Sequence, residues 1–153
     1  MNREQLLNRI DKTWTAFTES FAGLTDEEMQ EPGVEGDWSV RDLMTHVSIW
    51  EDETLKYLPL IAEGGRPPRY AAQGGIDAFN ARAVGARRGL TSTEVRQQLD
   101  ETHRRLIAYV QSVPEEQFAT ETRFRHRLRV DTYSHYPEHT AAIRHWRERA
   151  TGD

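Results

Sequence analysis

Tyr133-Ser134-His135-Tyr136-Pro137-Glu138-His139 sets two histidines four residues apart at the start of the last helical pattern. In a helix, residues i and i+4 differ by about 40° in direction and about 6 Å in height. Both imidazoles can therefore reach one point in space, the arrangement used by helix-borne metal sites. A third ligand is needed, and the best candidate is His46, in Ser39-Val40-Arg41-Asp42-Leu43-Met44-Thr45-His46. The pair thus calls for a fold that packs two distant helices face to face.

The helical periodicity supplies such helices. Leu7, Ile10, Trp14, Phe17 and Phe21 form one stripe from Asn2 to Gly23. Thr25 to Glu28 is a capping box that opens a short helix. Glu31 to Asp37 is an acidic loop broken by proline and glycine. Ser39 then caps a second long helix, with Asp42 at its third position. Val40, Leu43, Val47, Trp50 and Leu58 face inward on it, and His46 lies on the flank of that stripe. Pro59 is expected to kink or end this helix.

Gly64 to Gly75 is a Pro/Gly-rich loop, read as a crossover between bundle helices or as a lid over a site. Ile76 to Arg88 reads as a short helix with Ile76, Phe79 and Ala83 inward. Thr91 to Glu94 is another capping box and opens a third long helix. Val95, Leu99, Leu106 and Val110 are its stripe. Pro114 to Phe118 looks like one extra turn. Arg123 to Val130 alternates with period two, which predicts a strand or an extended loop with one apolar edge. The last helix is expected from Thr132 to Ala150, with Pro137 harmless if Ser134 is the cap and kinking if Asp131 or Thr132 is. The expected fold is all-α: a four-helix bundle with one long crossover and short extra helices, one domain over residues 1–153.

Composition narrows the function. The 153 residues carry a net charge of −5, which gives no global argument for nucleic acid. There are no cysteines, so thiolate ligands and a cysteine nucleophile are excluded. The first residues lack an apolar leader core, and no run is long enough for a bilayer. A soluble, cytoplasmic protein is expected, with neither nucleic acid nor a membrane as partner. Arg123, Arg125, Arg127 and Arg129 would share one side of an extended segment. A solvated edge is the plainer reading of them than a nucleic-acid or anion site.

Three neutral histidines leave coordination positions open on a divalent ion, as catalytic sites do. The same spacing also arises from surface or core histidines. Among the others, His103 fits the core or a supporting role, His126 a loop contact and His145 a solvated position. Glu51, Glu53 and Glu138 are the acid–base candidates. Glu51 and Glu53 fit solvated positions or the orienting of a histidine, and Glu138 fits the helix dipole.

Trp38 to His46, with Trp50-Glu51 following, resembles the second helix of the DinB-like superfamily, and Asp131 to Trp146 resembles its last. Ile76-Asp77-Ala78-Phe79-Asn80 followed by the Thr91 helix resembles the ClbS/DfsB branch. The resemblance covers nearly the whole chain through short motifs. It implies a four-helix bundle, a homodimer, and a nickel or zinc ion held by His46, His135 and His139. It also implies hydrolase or thiol S-transferase chemistry on an electrophilic small molecule, with a low-molecular-weight thiol as co-substrate and a role in detoxification or resistance. Non-catalytic sequestration of such a molecule is the alternative. Cyclopropane opening, known in that branch, is not tied to a histidine triad, so the triad here points away from it. Trp50, Tyr136 and the Gly64–Gly75 loop are expected to shape the pocket.

Overall fold

The computed structural model describes residues 1–151. The chain forms α1 (Arg3–Ser20), α2 (Asp26–Met29), α3 (Val40–Ala62), α4 (Ile76–Gly85), α5 (Ser92–Ser112), α6 (Arg123–Asp131) and α7 (Tyr136–Thr151). Short 3₁₀ turns stand at Tyr70–Gln73 and Glu115–Gln117. The fold is all-α, and among the described residues the only β pairing is an isolated bridge between Glu35 and Trp38. Helices α1, α3 and α5 are three columns of the bundle. The fourth is divided into α6 and α7 by a turn at residues 132–135.

Local chemistry sets the helix starts. Ser39 Oγ accepts from the Asp42 amide and Asp42 returns a bond to the Ser39 amide, so two otherwise orphaned donors are satisfied. The same reciprocal box starts α1 at Asn2 and Gln5, α2 at Thr25 and Glu28, and α5 at Thr91 and Glu94. Pro59 does not end α3, which runs on to Ala62. The stop comes at Gly64, whose φ of 89° suits a residue without Cβ. There the Gly64 amide bonds Ile61 and the Gly65 amide bonds Leu60, closing a Schellman motif.

One apolar core joins the long helices: Leu6, Ile10 and Phe17 from α1, Leu43, Val47 and Leu58 from α3, Leu99, Leu106 and Val110 from α5, and Leu128 and Ile143 from the split column. On α1 the fully buried leucine is Leu6, while Leu7 is half-buried at the edge toward α5. In α4 the inward residue is Val84, and Ile76 is 53 % exposed. No helix among the described residues is long and apolar enough to cross a membrane.

Arg123 to Val130 is not extended. It is helix α6, capped by Thr122, whose Oγ1 accepts from the Arg125 amide. Phe124 and Leu128, four apart, are the apolar residues it buries. The arginines consequently do not form a row. Arg123 bonds the Gly64 and Gly65 carbonyls, Arg125 the Phe118 carbonyl, Arg127 the Asp131 carboxylate, and Arg129 His126. Tyr136 begins α7, so Pro137 is its second residue. Its missing N–H is one of the donors that has no intrahelical partner in a first turn.

Candidate metal centre

His46 lies in the second turn of α3, buried to 6 % exposure. His135 occupies the turn just before α7, and His139 lies inside it, also buried. The split fourth column matters here. Because α6 ends at Asp131, the chain turns and presents His135 beside His139 rather than continuing past α3. His46 Nε2 stands 3.0 Å from His135 Nε2, and His139 Nε2 stands 2.9 Å from the same atom. The rings are steeply inclined, at 71–87° to one another.

This convergence cannot be satisfied by hydrogen bonds among the three rings. His135 Nε2 faces two other ring nitrogens, yet it carries either one proton or one in-plane lone pair. A divalent cation between the rings would accept all three lone pairs, so the donor set fits a divalent ion that imidazole ligates. Burial is the larger cause, and the neighbouring imidazoles the smaller, of His46 being pushed down to about 2 and His135 to about 3. The Asp131 backbone works slightly the other way on His135. Neutral imidazole is the form a metal needs.

Glu35 reaches the triad from the acidic loop. Its carboxylate lies 3.0 Å from His139 Nδ1. With Nδ1–H donating to Glu35, the lone pair of His139 is held on Nε2, toward the triad. The acidic loop positions Glu35 through its bridge to Trp38, where Gly36 takes a φ of 60° in the turn. Trp38 itself packs 5.0 Å from the His46 ring. Replacing Glu35 with alanine should weaken nickel or zinc affinity about 10–100-fold, as loss of such outer partners does. Calorimetric metal titration of the full chain checks this, with Glu35→Gln intermediate.

A cavity of about 350 Å³ opens beside the triad. Trp50, Ile76 and Val130 give it apolar walls, and Asn80, Asp131 and Glu138 give it polar ones. Trp50 Nε1 donates to Asn80 Oδ1 at 2.7 Å, which fixes α4 over α3. Tyr70, in the crossover, packs 5.1 Å from both Trp50 and Phe79. The Gly64–Gly75 loop thus acts on the cavity through Trp50 and does not itself line it. Tyr136 does not line it either: it is fully buried against Trp14 and Phe17.

The other candidates fall apart from the triad. Glu138 is exposed at the cavity rim, and Glu53 accepts a long bond from Tyr70 Oη. Glu51 is fully buried, not solvated, and orients a histidine outside the triad, His103. His145 and His126 are exposed.

The fold and site together define an all-α bundle in which side chains on facing helices, His46 of α3 and the His135/His139 pair, converge at one place in the core. A sequence profile of the DinB superfamily matches residues 9–148, and the chain belongs to that superfamily. No curated protein sequence matches it. Its fold is shared with the colibactin self-resistance protein ClbS, crystallised with double-stranded DNA, at 16 % identity over 96 % of each chain and a TM-score of 0.80. It is shared with the sibling lethal factor precursor DfsB, at 15 % identity over 99 % of this chain and 98 % of that one, TM-score 0.82. A protein from Streptococcus pneumoniae gives 18 % identity over 97 % and 91 %, TM-score 0.78.

The ClbS complex overturns one expectation, the exclusion of nucleic acid as a partner. That exclusion rested on net charge, which is a sum over the whole molecule. A sum of −5 places no limit on the local potential of one face.

Proposed function

We propose that this chain is a divalent-metal-dependent enzyme of hydrolase or thiol S-transferase type, acting on an electrophilic small molecule in resistance or detoxification. The observation that carries the reading is the meeting of three histidine Nε2 atoms, those of buried His46 and His139 and of partly exposed His135, beside a cavity of small-molecule size. Shared fold with a self-resistance protein supports the physiological part.

His46, His135 and His139 would hold the ion, nickel or zinc, with Glu35 fixing His139. Such an ion supplies Lewis-acid activation of a water or a low-molecular-weight thiol. The chain's own residues do the rest. Trp50, Ile76 and Val130 take the apolar part of the substrate and exclude water around it. Asn80, held at its oxygen by Trp50, has its amide nitrogen left to donate to a substrate oxygen. Glu138, at the rim, is placed to exchange a proton with solvent.

Metal analysis of the purified protein tests the centre. About one equivalent of nickel or zinc is expected in the parent and a small fraction of that in His139→Ala. Equal, negligible metal in both would sink the reading. Turnover of electrophiles with added thiols tests the chemistry. Saturable binding without product, in metal-loaded protein, would mark the chain as a sequestering protein instead.

A further inference from the structure

A cavity of about 620 Å³ lies between α1 and α5 and shares no lining residue with the triad cavity. Arg3 closes one end of it. Its guanidinium donates to the Val113 carbonyl at 2.6 Å and pairs with Glu115 at 3.4 Å. Beyond that link the helices part, and His103 stands in the lining.

His103 is held unusually firmly for a residue in an open groove. Its ring stacks on Trp14 at 3.6 Å between centroids and 2° between planes. Its Nδ1 lies 3.0 Å from Oε2 of Glu51, a carboxylate with no exposure at all. Its Nδ1 is taken by Glu51, its Nε2 makes no hydrogen bond among the described residues, and the ring lines the groove. A carboxylate–imidazole pair clamped by an indole thus leaves one nitrogen unbonded in the groove lining.

The walls and rim give the ligand class. Leu7 and Ile107, both half-buried, form the apolar sides. Glu4 and Asp11 are exposed on the rim and have no ion-pair partner among the described residues, whereas Arg3 is engaged by Glu115. The free charge of the rim is therefore negative. An anion is repelled there, and a neutral apolar molecule leaves the carboxylates unused.

We propose that the α1–α5 groove is a second binding site, for a small protonated amine with an apolar body, whose nitrogen lies among His103 Nε2, Glu4 and Asp11. The site is independent of the metal centre and of the function proposed for it. Neither sequence periodicity nor the triad points to it, because Leu7, His103 and Ile107 occupy the edges of helical stripes.

Titration of the isotope-labelled, metal-loaded full chain with 2-phenylethylamine tests the proposal by NMR. Saturable shifts are expected at the Leu7 and Ile107 methyls and the His103 ring. The neutral N-acetyl analogue and the anionic 3-phenylpropanoate should bind more weakly. Glu4→Gln with Asp11→Asn, both at exposed positions, should weaken the amine about 2–10-fold, the worth of two exposed ion pairs. The proposal is overturned by absence of saturable shifts in the groove, by equal affinity for the acetylated analogue, or by undiminished affinity in the double variant.

Discussion

Metal-free protein taken from pH 7 to pH 5 should lose up to about 4 kcal/mol of stability through His46 and His135 alone. In the unfolded chain a histidine titrates near 6.5. In the folded chain burial and mutual repulsion hold His46 near 2 and His135 near 3. Between pH 6.5 and about 3 the unfolded state therefore binds protons that the folded state refuses, and stability falls as pH falls. At pH 5 the solution stands roughly 1.5 units below the unfolded pKa of each group, worth about 2 kcal/mol apiece. The total is a ceiling, because His135 is partly exposed.

Such a loss is large beside the roughly 5–15 kcal/mol that holds an ordinary domain together. The test is urea unfolding at both pH values for the parent and for His46→Gln with His135→Gln, after chelation. The double variant should show most of the acid loss removed. Glu51 and Asp131 act in the opposite sense: burial raises their carboxyls, so their contribution improves as pH falls. That contribution is common to both proteins and cancels in the comparison. An unchanged acid limb in the double variant would assign the limb to other groups.

Most of the fold was legible because its signals are local. A capping Ser or Thr with an acid three residues on gave the starts of α2, α3 and α5, and each box formed. The three converging histidines were legible in part, since i,i+4 spacing and the flank of a stripe are visible in one dimension. Their meeting came only through the family resemblance and not from spacing, because it depends on the chain turning at residues 132–135. Glu35 carried no cue at all. It reaches His139 across 104 residues, and an acidic loop reads the same whether or not a carboxylate leaves solvent. The alternation in Arg123–Val130 misled because eight residues fit two periods. Phe124 and Leu128 are both two-periodic and four apart, and the deciding sign was Thr122 as a cap. Glu51 and His103 were ambiguous for a related reason, as polar residues at the border of an apolar stripe.

The misread segment holds the second large prediction: replacing Asp131 with alanine should cost about 3–5 kcal/mol. Asp131 is 7 % exposed and accepts from Thr54 Oγ1 at 2.6 Å and from Arg127 Nε at 2.5 Å. Arg127 in turn donates to Tyr70 Oη at 3.0 Å and lies 5.7–6.0 Å from the centroids of Trp50, Tyr57 and Tyr70. Removing the carboxylate strands a guanidinium among three aromatic rings, where attraction to the ring faces offsets only part of the lost pairing. Asp131 also ends α6 immediately before the turn that presents His135, so nickel or zinc affinity should fall with stability. Combining Asp131→Leu with Arg127→Leu removes both charges and should cost clearly less than the two single changes summed. Urea unfolding and metal titration of the parent, Asp131→Ala and the three leucine variants measure both effects. A cost below about 1 kcal/mol for Asp131→Ala, or strict additivity in the cycle, would show that the pair neither anchors the corner nor matters to the histidine it precedes.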